Sequence, residues 1–146
     1  MFEEFNEIER PELLNPLVLA YIGDAVYELY VRIYIAKEGT VKTNALHRAS
    51  ISFVSAKAQA NILAGIEENL SEDEANIVRR GRNAHSNTIP KNASIADYKK
   101  ATAFEALIGY LFLKNDIKRL EEIVKLSIKS NKVIKENLYG SKKEKS

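Results

Sequence analysis

Apolar residues recur along this chain at three- and four-residue intervals, and no stretch alternates at period two. Every element it predicts is therefore a helix, and the fold class is all-α. The most apolar stretch is "LVLAYIGDAVYELYVRIYIA", Leu17 to Ala36. Asn15 offers a side-chain oxygen to free N–H groups, Pro16 suits a first helical position and Gly39 closes the run, which predicts a helix over 16–38. Thr43 is expected to cap the next segment, where Val54, Ala58, Ile62 and Ala64 keep helical spacing. The β-branched run from Ser50 to Phe53 predicts a break within it. "SEDE" from Ser71 has the spacing of a capping box and starts a helix ending between Arg82 and His85. "NAHSNTIPKN", Asn83 to Asn92, is polar and aperiodic with a proline, and reads as a loop. Ser94 and Asp97 repeat the capping pattern ahead of a helix to Lys114, and Asp116 opens a last amphipathic helix to Leu138. "YGSKKEKS" reads as a frayed tail. The length of 146 residues fits one domain, 1–146, with its core over 15–138 and a flexible basic tail over 139–146.

The first apolar stretch is long enough to cross a bilayer. Asp24, Glu28 and Arg32 argue against that, because an Asp or Arg at a membrane helix centre costs about 2.5–3.5 kcal/mol, and their four-residue spacing stacks them on one stripe of a buried soluble helix. The acidic N-terminus lacks the layout of a signal peptide, and the chain has no cysteine, so the expectation is a cytoplasmic protein without disulfides and without a membrane. Net charge is only +2, but it is segregated. Residues 1–14 carry five glutamates and one arginine, whereas Arg79 to Lys100 hold six cations against Asp97 alone. Such a basic face suits a polyanion, and it is equally compatible with an ordinary solvated surface.

Two carboxylates stand out. Asp24 follows Gly23 inside the first apolar run, and Glu105 is the only charged residue of "ATAFEALIGYLFL", Ala101 to Leu113. An ionised carboxylate buried without a partner costs several kcal/mol. Three compensations are open: hydration at a helix rim, pairing with a Lys or Arg, or convergence of both acids on a divalent metal. Gly23 beside Asp24 and Gly109 one turn after Glu105 would let two helices approach closely, and two such acids resolve their repulsion by sharing Mg²⁺. Mg²⁺ accepts one or two carboxylates together with phosphate oxygens, as phosphodiester hydrolysis requires. Other chemistries lack their residues. There is no nucleotide-binding GxxxxGK[ST] loop, no GxSxG elbow and no thiol, and neither His47 nor His85 adjoins an aspartate.

"YIGDAVYELYVR" and "TAFEALIGYLFL", in this order and separation and with "HRASISFVSAKAQANIL" between them, resemble the two signatures of the ribonuclease III family over about Asn15 to Lys114. The resemblance implies that family's helical endonuclease domain. The chain departs from the usual pattern where Leu17, Ala20 and Thr102 replace acids, and at this length no double-stranded-RNA-binding domain is expected beside the catalytic one. The same reduced pattern, with "RGRNA" and "PKN", is similar to the one-domain Mini-ribonuclease III branch. That branch implies that Asp24 and Glu105 are the catalytic, metal-binding pair for Mg²⁺, with Mn²⁺ as a substitute. It implies cleavage of double-stranded RNA, specifically maturation of the large-subunit ribosomal RNA precursor, by a homodimer without a nucleotide cofactor. The first helix, with Tyr21, Tyr27, Tyr30 and Tyr34 on several sides, has surface to bury against the second copy. Lacking a separate RNA-binding domain, the chain is expected to grip the duplex with Lys57, Arg79, Arg80, Arg82, Asn83, His85, Lys91 and Asn92. The alternatives are a catalytically inactive helical RNA-binding module and a purely helical interaction protein.

Overall fold

The computed structural model describes residues 1–39, 42–85 and 94–143, with side chains described up to Lys132. Among the described residues there are six α-helices, two one-turn 3₁₀ segments and no strand. The helices are α1 (Pro16–Lys37), α2 (Thr43–Val54), α3 (Ala56–Ile66), α4 (Glu72–Asn83), α5 (Ile95–Leu113) and α6 (Ile117–Lys143).

Their ends follow the chemistry of the sequence. Asn15 accepts from the N–H of Leu17 at 2.9 Å, and beyond Lys37 the chain turns at Gly39, whose φ of 86° lies in the left-handed region that glycine adopts without strain. Ser71 and Glu74 form the reciprocal capping box, and Ser94 accepts from the N–H of Asp97 at 3.0 Å. Three boundaries differ from expectation. The N-cap of α2 is Lys42, with Thr43 already helical and no side-chain cap. The break between α2 and α3 falls at Ser55, whose extended backbone (ψ 154°) lets its hydroxyl cap α3 through the N–H of Ala58. Finally, α6 continues past Leu138 to Lys143.

Packing is centred on α5. Between Ala101 and Leu113 only Glu105 and Phe112 are less than fully buried, so this helix is apolar all round and the other helices wrap it. Leu19, Tyr27 and Val31 of α1, Ile62, Leu63 and Ile66 of α3, Ile77 and Val78 of α4, and Leu120 and Ile123 of α6 complete one core. Each such side chain contributes about 1.5–3 kcal/mol on burial. Tyr27 lies wholly inside, edge-on to Phe104 at 4.9 Å, while Tyr21 of the same helix is 82% exposed.

Candidate active site

Asp24 and Glu105 are brought together by a contact between two backbones. A Cβ built on Gly23 would overlap the carbonyl oxygen of Glu105 and lie 2.7 Å from the amide nitrogen of Gly109; one built on Gly109 would overlap the carbonyl oxygen of Leu19. No side chain separates α1 from α5 at this crossing, and glycine is required on both helices for that approach. Asp24 is the residue after Gly23, and Glu105 is the residue whose carbonyl meets it.

The electrostatics register the proximity. Burial, and then the charge of Asp24, together push the Glu105 carboxyl up to about 8. Asp24 is raised from the ordinary aspartate value by the protein packed around it and then by Glu28, one turn on. Glu28 is held by Arg32 at 2.8 Å, so the cation on this stripe serves Glu28. Among the described residues neither Asp24 nor Glu105 has a hydrogen-bond donor or a cationic partner. No described Lys or Arg therefore compensates either acid. Two neighbouring carboxylates on a rigid frame, the charge of Asp24 opposing ionisation of Glu105, fit a cation that takes one or two protein oxygens and completes its shell with water and phosphate. No third acid or histidine joins them among the described residues, which suits Mg²⁺ better than a metal needing a full protein cage.

The expected RNA contacts fall in different settings. Lys57 is exposed on the first turn of α3, and no ion pair holds it among the described residues. Arg79 is exposed and bonds Asn76; Asn83 and His85 are exposed at and just past the end of α4. Arg80 is half-buried, and its guanidinium donates to the main-chain carbonyls of Glu12 (2.6 Å) and Leu14 (3.1 Å). Arg82 pairs with Glu67. Lys91 and Asn92 lie outside the described residues. Clefts of about 600 Å³ beneath the N-terminal segment and about 460 Å³ between α1 and α2 include neither Asp24 nor Glu105; Asp24 is exposed and Glu105 half-buried, so a duplex too wide for a cavity can approach them.

An all-helical domain with paired carboxylates at a helix crossing matches a known class. The signature of the Ribonuclease III domain fits residues 17–116, and the protein is an endoribonuclease. Among relatives, the chain is 55% identical to a Mini-ribonuclease 3 of Brevibacillus brevis, over 78% of this chain and 85% of that one. It is 52% identical to a Mini-ribonuclease 3 of Clostridium tetani, over 86% and 83%. A crystal structure of a Fusobacterium nucleatum protein superposes with a TM-score of 0.73 at 33% identity, covering 79% of this chain and 93% of that one. The chain belongs to the ribonuclease III family, in its Mini-ribonuclease 3 group.

Proposed function

We propose that this protein cleaves double-stranded RNA, using Mg²⁺ held by Asp24 and Glu105, and that it matures the ends of the large-subunit ribosomal RNA precursor in the cytoplasm. The observation that carries the reading is the pair of carboxylates, without a cationic partner among the described residues, set at the backbone contact of Gly23 with Gly109. When bound, the ion supplies an activated water and a counter-charge for the phosphate. The chain's own residues do the rest. The α1–α5 contact fixes the separation of the two acids. Glu105 gives up its proton to make a second ligand. Exposed Lys57, Arg79, Asn83 and His85 hold backbone phosphates on either side, and the products carry 5′-phosphate and 3′-hydroxyl ends.

A single chain holds one such pair, and cutting both strands of a duplex takes two related by a two-fold axis. The outward face of α1 supports a homodimer: Tyr21, Leu29 and Ile33 are each more than half exposed, an apolar stripe that favours a second copy over water. Among the described residues no helix is long and apolar enough to cross a membrane. We read the whole chain as one catalytic domain.

The test is cleavage of a long RNA duplex with and without Mg²⁺. Wild type should cut only with the metal, and Asp24→Asn should lose about 100-fold or more, since even an outer-sphere partner of a metal is worth up to that. Undiminished cleavage by Asp24→Asn would contradict the assignment, and binding without cleavage in every condition would favour the inactive RNA-binding module.

A further inference from the structure

We propose that Arg80 is a positioning residue for the catalytic pair and not a contact to RNA; the inference rests on the ribonuclease reading above. Three consecutive residues of α4 grip three different parts of the molecule. The Arg80 guanidinium spans the carbonyls of Glu12 and Leu14, immediately before the Asn15 cap from which α1 starts. Gly81 is pressed onto α5: a Cβ there would stand 2.8 Å from Cα of Ala103 and 3.2 Å from Cβ of Ala106, residues on either side of Glu105. Arg82 reaches Glu67.

The consequence is geometric. α1 is a continuous 22-residue helix, so fixing its start at Pro16 fixes where Asp24 lies, about 12 Å further along at 1.5 Å per residue. The same turn of α4 fixes α5 at Glu105. Arg80 and Gly81 together thus set how far α1 slides and rotates against α5, and with it the gap between the two carboxylates. Only a guanidinium does this well. Its planar fork donates to two carbonyls at once, whereas a lysine ammonium is a point donor on a flexible stem. Both carbonyls belong to the main chain, so the arrangement depends on Arg80 and not on the side chains at 12 and 14.

The experiment compares wild type, Arg80→Lys, Arg80→Met and Asp24→Asn, each checked for helicity by circular dichroism. Two quantities are read: binding of Mn²⁺ alone by calorimetry without RNA, and single-turnover cleavage of a duplex across a salt series. Positioning predicts that Arg80→Lys stays folded, binds Mn²⁺ several-fold more weakly and cleaves about 10–100-fold more slowly, the scale of a small misplacement of reacting groups. Its KM and the salt slope of KM should match wild type. A rise in KM with kcat unchanged and a slope lower by about one would make Arg80 a phosphate contact and overturn the proposal. Wild-type metal binding and rate in Arg80→Lys and Arg80→Met would overturn it too, as would loss of helicity in both, which would make Arg80 a folding residue. Failure of the ribonuclease reading itself looks different: wild type would not cut, or Asp24→Asn would cut normally, whatever residue 80 is.

Discussion

At the residue scale, the proposed site turns on the protonation of Glu105. With its carboxyl at about 8, the metal-free protein holds a proton there at neutral pH, and a divalent ion must displace it. Mn²⁺ affinity should therefore rise with pH up to about 8 and then level off, with close to one proton released per ion near pH 7; calorimetry in buffers of different ionisation enthalpy measures both. For stability the sign is opposite to that of a paired acid. The folded carboxyl is raised above its unfolded value of about 4.5, so the metal-free fold loses stability as pH rises from there to 8. Glu105→Gln should be more stable than wild type at pH 8 by about 1–3 kcal/mol in urea unfolding, and inactive; a less stable variant would contradict a strained, unpaired carboxylate. Both acids stood out in the sequence because each lies in a mostly apolar helix with a glycine beside it or one turn away. The role of Arg80 was not, since a side chain bonded to main-chain carbonyls more than sixty residues earlier leaves no periodic trace.

At the element scale, the α1–α5 crossing is the most sensitive joint. Gly23→Ala and Gly109→Ala each force a methyl into a backbone carbonyl, and relief requires the helices to part. Each should cost about 1–3 kcal/mol or more and weaken Mn²⁺ binding, because the acids move apart with the helices. Gly65→Ala is the control: its methyl meets the Ser130 side chain, whose hydroxyl can rotate away, so both thermal melting and metal affinity should change less. A second joint ties α6 to α4. Arg119 forms a two-pronged pair with Glu74 at 2.8 and 2.9 Å and also donates to the carbonyl of Asn69. Glu74 is 4% exposed and its carboxyl is held below the usual range; burial pushes it up, but the Arg119 and Ser71 bonds together outweigh that. Arg119→Ala strands a buried charge and should cost about 3–5 kcal/mol at pH 7. The stability this pair gives is present above the unfolded glutamate value and is lost as pH falls through the lower folded one. The sequence announced the capping box of Ser71 and Glu74 by its local spacing. It was silent on Arg119, which is 45 residues away and looks like any charge on an amphipathic helix. The break at Ser55 was misplaced by a few residues for a similar reason: β-branched residues suggested where a helix weakens, but a serine with an extended backbone decides where the next one begins.

At the scale of the whole molecule, the apolar outer face of α1 and the exposed cations make separate predictions. Leu29→Glu together with Ile33→Glu puts charge on that face without touching the core. It should convert a dimer to a monomer in sedimentation velocity, and double-strand cleavage to single-strand nicking. Lys57→Met and Arg79→Met should each lower the salt slope of duplex binding by about one and leave Mn²⁺ binding unchanged. The all-α class followed from periodicity alone, whereas the wrapping of the other helices around α5 emerged only in the structure. The outward stripe of α1 did not, because a helix apolar on most sides does not say which side its own chain covers; Tyr27 went inside and Tyr21 outside.

The claim beneath all of this is that Asp24 and Glu105 jointly hold one divalent ion. Anomalous diffraction from crystals soaked in MnCl₂ near pH 8 tests it most directly. The account predicts a single peak at the α1–α5 crossing, with one oxygen from each carboxylate at roughly 2.1 Å, the distance of a magnesium-like site. A peak bound by other residues, or none at this crossing in a well-ordered crystal, would contradict it.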